Sequence, residues 1–266
     1  MKEEYERNLR IRKLIKNIID IVEETDIDLK KPFFGKNTKL FHEMISKLSG
    51  VKADNMLPSP VMLGVTGIYD TTSMTKWQYP NCQEVYVYML YPSISIKEYG
   101  DMQFGDYKLG EFMEALMHTR NAAKKMFPNS NISLKVKCLI NYVYSFIQHS
   151  DLEWANEYML GVVHKGREII ANVTKELATI PDVYPIMVKT DMVIVSSFEE
   201  KGDLSKLITC VPDYRLISEN IHDVVIIDKI RYIEGGKANG FALMNNHGRI
   251  QTSTKRLVDR IINEVK

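Results

Sequence analysis

Residues 84–94 read Glu-Val-Tyr-Val-Tyr-Met-Leu-Tyr-Pro-Ser-Ile, and this stretch is the main evidence for the fold class of the chain. Its β-branched and aromatic side chains are typical of a β-strand. Pro92 has no backbone N–H to give to a neighbouring strand, so it ends the run. We therefore predict a strand over residues 84–94 that closes at a proline turn.

The segments around this strand alternate in type. Helical spacing of apolar residues predicts helices over residues 3–25, 39–48, 109–126, 134–148 and 152–177. A hairpin is predicted at Lys189–Asp191, strand-like segments at 224–232 and 241–244, a hairpin turn at Gly235–Gly236, and a basic helix at 253–265. This order favours an α+β fold with an antiparallel sheet over a doubly wound parallel sheet.

Composition sets limits on size, compartment and partners. The 266 residues are 45% hydrophobic, which is enough for one sizeable core, and the net charge of +1 requires acidic residues to balance any basic patch. Cys82, Cys138 and Cys210 lie far apart without metal-ligand spacing, which favours a reducing, cytoplasmic compartment. The charged stretch Lys2–Lys13 is unlike a signal peptide, and no apolar run approaches the ~18 residues of a membrane span.

Six short motifs follow one another along the chain. They are Leu90-Tyr91-Pro92-Ser93-Ile94, Arg120 with Lys124, Lys137 with Asn141 and Tyr144, Gly166-Arg167, Lys189-Thr190-Asp191, and Lys229-Ile230-Arg231-Tyr232. Each alone has an ordinary explanation, such as a core strand or a solvated helix face. Their order, over roughly residues 55 to 250, resembles the palm and fingers of family B DNA polymerases.

The resemblance implies a polymerase palm-like antiparallel sheet with packed helices and a short helical-hairpin fingers insertion. It implies an N-terminal helix and linker at 1–37, and a palm at 38–105 and 151–266 with fingers at 106–150. The implied nucleotide-binding residues are Tyr91, Arg120, Lys124, Lys137 and Asn141, and the implied DNA-binding residues are Lys229, Arg231 and Tyr232. Cations on two antiparallel helices can converge on a triphosphate. Arg binds phosphate oxygens with two N–H groups at once, and Lys acts as a point charge.

The metal-binding positions depart from the family pattern. Phosphoryl transfer by a polymerase uses two divalent ions held by carboxylates. Tyr86 stands at the motif A aspartate position and Lys189 at the first motif C aspartate position, whereas Asp191 remains as the residual catalytic and metal-binding residue. The ammonium of Lys189 would repel a divalent ion near Asp191, because residues two apart share a strand face. Glu84, ~7 Å from Tyr86 along the same face, is a candidate substitute carboxylate, and Glu98 and Asp101 follow the strand.

Two functions remain open from the sequence. The first is a non-catalytic polymerase-like protein that binds DNA, a nucleotide or a partner protein in replication, with no certain cofactor. The alternative is an active DNA-directed DNA polymerase, or the palm part of a split one, which needs Mg²⁺ and a site completed by another carboxylate or subunit. From the reduced size of the core we expect a viral or mobile-element origin.

Two basic or apolar segments bear on the partners. The tail cations are Arg249, Lys255, Arg256 and Arg260. They either contact phosphates or form a solvated helix face. The apolar face of the N-terminal helix either docks on a partner, such as another polymerase subunit, or packs on the chain itself.

Overall fold

The protein is described by a computed structural model that covers residues 2–29, 36–53, 70–72, 77–221, 223–227, 232–235 and 237–239. The chain divides into two compact units. The first comprises Met1–Met62 and Tyr91–Val163, and the second comprises Leu63–Leu90 and His164–Lys266. Helices and antiparallel strands occur together, so the predicted α+β class is confirmed. The predicted palm and fingers boundaries stay a prediction.

The described helices match the predicted ones closely in position. They are α1 (Lys2–Glu24), α2 (Lys36–Ser49), α3 (Leu90–Tyr99), α4 (Leu109–Met126), α5 (Ile132–Gln148) and α6 (Ala155–Leu177). Of these α-helices only α3 was not expected, and a short 3₁₀ helix over Leu204–Leu207 was not predicted either. None of the helices in the described ranges is long and apolar enough to cross a membrane.

The described strands form three antiparallel sheets. The strands are β1 (Asp70–Thr71), β2 (Gln78–Tyr79), β3 (Gln83–Val87), β4 (Gln103–Phe104), β5 (Tyr107–Lys108), β6 (Tyr184–Lys189), β7 (Met192–Ser196), β8 (Leu216–Asn220), β9 (Val224–Ile226), β10 (Tyr232–Glu234) and β11 (Lys237–Asn239). The largest sheet has the order β1-β6-β7-β3-β8, the second has the order β11-β10-β9-β2, and β4 pairs with β5.

The predicted strand over residues 84–94 is half wrong. Strand β3 ends at Val87, and Leu90 begins helix α3. Met89, with φ of +50°, turns the chain out of the strand. Pro92 lies in the first turn of α3, where a missing N–H costs no intrahelical hydrogen bond. The aromatic residues that indicated a strand therefore divide between a strand and a helix.

The first unit is built on helix packing. Helix α1 buries an apolar stripe and contacts α4 and α5, which also pack on each other. Lys135 on α5 donates from Nζ to the carbonyl oxygens of Val22 and Thr25, at 3.0 and 2.7 Å. These bonds satisfy carbonyl groups that the end of α1 leaves without helical partners. Of the two predicted uses of α1, packing on its own chain accounts for the apolar stripe, against α4 and α5 rather than the sheet, while Tyr5 and Leu9 stay exposed.

Helix α3 is anchored to α6 within the first unit. Tyr158 is fully buried, and its hydroxyl lies 2.8 Å from Oγ of Ser95 on α3. The Tyr158 ring makes edge contacts with Tyr99 and Trp154, at centroid distances of 5.2 and 5.7 Å. The helix that carries Tyr91 is therefore fixed by both a buried hydrogen bond and ring packing.

The second unit places β3 at the interior of the five-stranded sheet. The buried side chains of β3 are Gln83, Val85 and Val87, which alternate with the partly exposed Glu84 and Tyr86. An apolar cluster joins the two sheets of this unit through Met187, Ile194, Val224, Ile226 and Tyr232. Glu84 lies on the same face as Ile194, its register partner, because directly opposed residues in antiparallel strands share a face.

The β6–β7 hairpin and the turn after Glu234 are confirmed as predicted. Lys189 pairs with Met192 across the first turn, and Glu234 pairs with Lys237 across the second, where Gly235 has φ of +49°. The predicted strand at 241–244, the basic helix at 253–265 with its four tail cations, and most of the linker at 28–37 lie outside the described residues.

Candidate functional site

Tyr86 and the Lys189–Asp191 turn meet on neighbouring strands. In the antiparallel pairing of β3 with β7, Tyr86 is the register partner of Met192, the residue after Asp191. The backbone N–H of Val87 also donates to the carbonyl oxygen of Asp191, at 2.9 Å. The structure therefore brings together the two segments that the motif order aligned with the catalytic strands of a polymerase.

Tyr86 is engaged by a carboxylate on the other neighbouring strand. Its hydroxyl donates to Oε1 of Glu219 on β8, at 2.7 Å. Burial raises the pKa of Tyr86 to about 12, and the hydrogen bond to Glu219 acts in the same direction. Tyr86 is therefore a neutral hydrogen-bond donor at neutral pH, which makes it unlike the carboxylate expected at this position.

Lys189 lies over an aromatic ring beside Glu84. Its Nζ atom is 4.2 Å from the ring centroid of Tyr232, and the Tyr232 hydroxyl donates to Oε1 of Glu84 at 3.0 Å. Burial lowers the pKa of Lys189, whereas the charges of Glu84 and Asp191 act to raise it. Burial raises the pKa of Glu84, and the hydrogen bond from Tyr232 acts against that rise.

These side chains do not fit a two-metal site. The described residues contain no group of three or more His, Cys, Asp or Glu side chains arranged to hold a metal ion. Glu84 and Glu219 already accept hydrogen bonds from tyrosines, and the positive charge of Lys189 acts on Glu84. Mg²⁺ requires oxygen ligands in near-octahedral geometry, and a cation among the candidate ligands opposes its binding.

The helical hairpin carries the predicted nucleotide-binding cations. On α4, Arg120 is partly exposed and Lys124, one turn later, is exposed. On α5, Lys137 is exposed and Asn141 is partly exposed. Burial raises the pKa of the Cys138 thiol, while Lys137 and Arg120 both act to lower it. Charges on both helices therefore act on the same buried thiol. The convergence of these cations on a triphosphate stays a prediction.

Tyr91 is held against the same hairpin. Its partly exposed ring stacks on Tyr144 of α5, with a centroid distance of 5.7 Å and an interplanar angle of 26°. The hydroxyl of Tyr144 donates to the carbonyl oxygen of Met159, at 3.1 Å. Tyr91 on α3 and the hairpin cations Arg120 and Lys137 therefore belong to one compact unit.

The predicted DNA-binding motif is described only at its last residue. Lys229 and Arg231 lie outside the described residues. Tyr232 is 4% exposed, and its side chain contacts Glu84 and Lys189. Glu84, Tyr86, Lys189 and Tyr232 together are called the strand site. Tyr232 packs within this site, and its predicted DNA contact stays a prediction.

Sequence reasoning missed Glu219. The carboxylate that accepts from Tyr86 lies on β8, a short strand with two exposed residues at its end and partly exposed residues before them. Such a half-polar strand has little apolar alternation, so neither periodicity nor a family motif marked it. Its position next to β3 appears only in the pairing of Tyr86 with Ile217 and of Glu84 with Glu219.

Comparison with known proteins supports the polymerase-like fold. A search of the solved structures finds the family B DNA polymerase from the hyperthermophilic archaeon Pyrobaculum calidifontis, with a TM-score of 0.52 and 15% sequence identity. The match covers 76% of this chain and 32% of the archaeal polymerase, so the chain spans about a third of that protein's length. No protein-family model matches the sequence. No curated protein matches it either. At this identity the likeness concerns the fold alone, which is similar to part of a family B DNA polymerase.

Proposed function

We propose that this protein is a non-catalytic, DNA polymerase-like protein that binds DNA through the cations of its helical hairpin. The observation that carries the proposal is the pairing of β3 with β7. It supports aligning Tyr86 and Lys189 with the catalytic carboxylate positions of a polymerase, and neither side chain is a metal ligand at neutral pH.

The retained cations support DNA binding rather than loss of all function. Arg120 and Lys137 stand on different helices, and the charge of each acts on the buried thiol of Cys138. The exposed Lys124 adds a third cation one turn from Arg120. Lys and Arg side chains that neutralise phosphates supply most of the sequence-independent affinity for DNA. We further propose that Lys229 and Arg231 contact DNA. A partner protein, if one binds α1, uses its exposed side with Tyr5 and Leu9.

Salt-dependent binding tests this proposal. Fluorescence anisotropy would follow binding of a labelled primer–template over a series of salt concentrations. We expect Arg120→Ala and Lys137→Ala each to weaken binding several-fold and to reduce the slope of log K against log salt by about one. Lys47→Ala, which removes an exposed lysine from α2 in the same unit, is the matched control and should bind as the wild type does.

Two results would overturn the assignment of the hairpin. One is a wild-type protein that does not bind DNA. The other is a loss of affinity in Lys47→Ala as large as that in Lys137→Ala, because the effect would then reflect net charge rather than a site. Lys229→Ala and Arg231→Ala test separately whether the second predicted DNA segment contributes.

One observation favours the alternative of an active polymerase or the palm part of a split one. Asp191 retains its carboxylate and is exposed at the β6–β7 turn. A second subunit that supplied carboxylates beside Asp191 would complete a metal site. Primer extension separates this alternative from the proposal.

A further inference from the structure

The side chain of Lys189 places a positive charge in the strand site. Lys189 ends β6, pairs with Met192 on β7, and Met192 pairs with Tyr86 on β3. Directly opposed residues in antiparallel strands share a face, so Lys189 and Tyr86 lie on one face of the sheet. Glu84, two residues before Tyr86, lies on this face as well.

The ammonium group of Lys189 contacts the face of the Tyr232 ring. Nζ of Lys189 lies 4.2 Å from the centroid of Tyr232, a distance at which the negative face of the ring attracts a cation. The same tyrosine donates its hydroxyl to Glu84 at 3.0 Å. Tyr232 thus positions both the cation and the nearest carboxylate with one side chain.

The surroundings of the ammonium are acidic. Glu84 and Asp191 act electrostatically on Lys189, and Glu219 and Glu234 act on Glu84. These four carboxylates come from β3, the β6–β7 turn, β8 and β10. The charge of Lys189 acts on Glu84 in the opposite direction to the charges of Glu219 and Glu234. Glu84 and Glu234 are partly buried, whereas Asp191 and Glu219 are exposed. Without a positive charge, the partly buried Glu84 would be repelled by the other carboxylates where the dielectric constant is reduced.

We propose that the ammonium of Lys189 takes the place of a divalent cation at this site, supplying the charge that compensates Glu84 and Asp191, so that the sheet needs no metal ion. A lysine suits this position because it carries its charge on the chain and accepts contact with an aromatic face. A divalent ion would need carboxylate oxygens released from their present partners. The inference deepens the proposed function, since it accounts for a polymerase-like palm without a metal site.

The direct test is Mn²⁺ binding and thermal unfolding, both measured without DNA. Binding of Mn²⁺ would be titrated by electron paramagnetic resonance. The wild type and Glu84→Gln should give the same titration, because the wild type has no Mn²⁺ site that depends on Glu84. The melting temperature of the wild type should be the same in EDTA and in millimolar Mg²⁺. In Lys189→Met, which keeps chain length and loses the charge, the melting temperature in EDTA should fall by several degrees, and Mg²⁺ or Mn²⁺ should recover part of the loss.

Matched variants separate charge compensation from general damage. Lys189→Arg retains a cation and should show no response to divalent ions. Lys206→Met removes an exposed lysine that pairs with Asp203 at 3.4 Å in the same unit, and it should also show no response. Combining Glu84→Gln with Lys189→Met should abolish the response of the single variant, because the carboxylate that would bind the ion is gone.

Two results would overturn the inference. The first is Mn²⁺ binding to the wild type that Glu84→Gln abolishes. It remains informative even if Lys189→Met fails to fold. The second is a folded Lys189→Met whose stability and metal response equal those of the wild type. Neither result bears on DNA binding by Arg120 and Lys137, so failure here is distinguishable from failure of the proposed function.

Discussion

The buried hydrogen bond between Ser95 and Tyr158 gives a quantitative test of how α3 is fixed. Oγ of Ser95 lies 2.8 Å from the carbonyl oxygen of Tyr91 and 2.8 Å from the hydroxyl of Tyr158. A serine hydroxyl has one hydrogen to donate, and a carbonyl oxygen can only accept. Ser95 therefore donates to Tyr91, and Tyr158 donates to Ser95.

The direction of donation predicts unequal costs for two substitutions. Ser95→Ala leaves the fully buried hydroxyl of Tyr158 without an acceptor, so we expect a loss of about 2 kcal/mol, within the ~1–3 kcal/mol range of an unsatisfied buried polar group. Tyr158→Phe removes the donor, keeps the ring contacts and leaves Ser95 bonded to Tyr91, so we expect a loss of about 1 kcal/mol. The double variant should cost about 1 kcal/mol less than the sum of the two.

Urea unfolding of the four proteins measures these differences. Trp154 lies 5.7 Å from Tyr158 between ring centroids and reports on this part of the first unit. A Trp77→Phe background removes the other tryptophan, which lies in the second unit. Losses that simply add in the double variant would refute the coupling, and a Tyr158→Phe loss larger than that of Ser95→Ala would refute the direction of donation.

Three further predictions test other parts of the structure. Gly161→Ala should destabilise the first unit by about 1–3 kcal/mol in urea unfolding, because the new Cβ would lie 1.7 Å from the Tyr99 hydroxyl. This loss opposes the usual preference of a helix for alanine over glycine. Adding Tyr99→Phe should restore part of the stability. Hydrogen bonds from Cys210 and Thr209 lower the pKa of Glu176 to about 2. The stability that Glu176 contributes is therefore present above its unfolded pKa near 4.5 and is lost as the pH falls toward 2. Urea midpoints measured over this pH range should depend less on pH in Glu176→Gln than in the wild type. Lys135→Met should cost about 1 kcal/mol and increase amide exchange in the last turn of α1, whereas Lys47→Met should change neither.

Much of the fold could be predicted from the sequence where one local pattern dominated. The range predicted for α4 and the turn at Lys189–Asp191 both match the structure, because helical periodicity and a break between two apolar runs are local signals. The prediction of one strand over residues 84–94 was wrong for a physical reason. The left-handed backbone of Met89 and the first-turn position of Pro92 divide the stretch, and side-chain type alone does not reveal a positive φ.

The candidate site was predictable only in part. Motif order placed Tyr86 beside the turn that holds Asp191, and the strand register agrees. The hydrogen bond from Tyr86 to Glu219 and the contact of Lys189 with Tyr232 join residues that are 133 and 43 positions apart along the chain. Such contacts depend on strand pairing, and a single sequence contains no local signal for them.

Primer extension tests the central claim most directly. Purified protein would be given a primer–template, the four deoxynucleoside triphosphates and either Mg²⁺ or Mn²⁺, under conditions in which anisotropy shows that the primer–template is bound. The account predicts bound DNA and no primer extension, in the wild type and in Asp191→Ala alike. Extension by the wild type that disappears in Asp191→Ala would contradict it, since Asp191 would then be part of a working metal site.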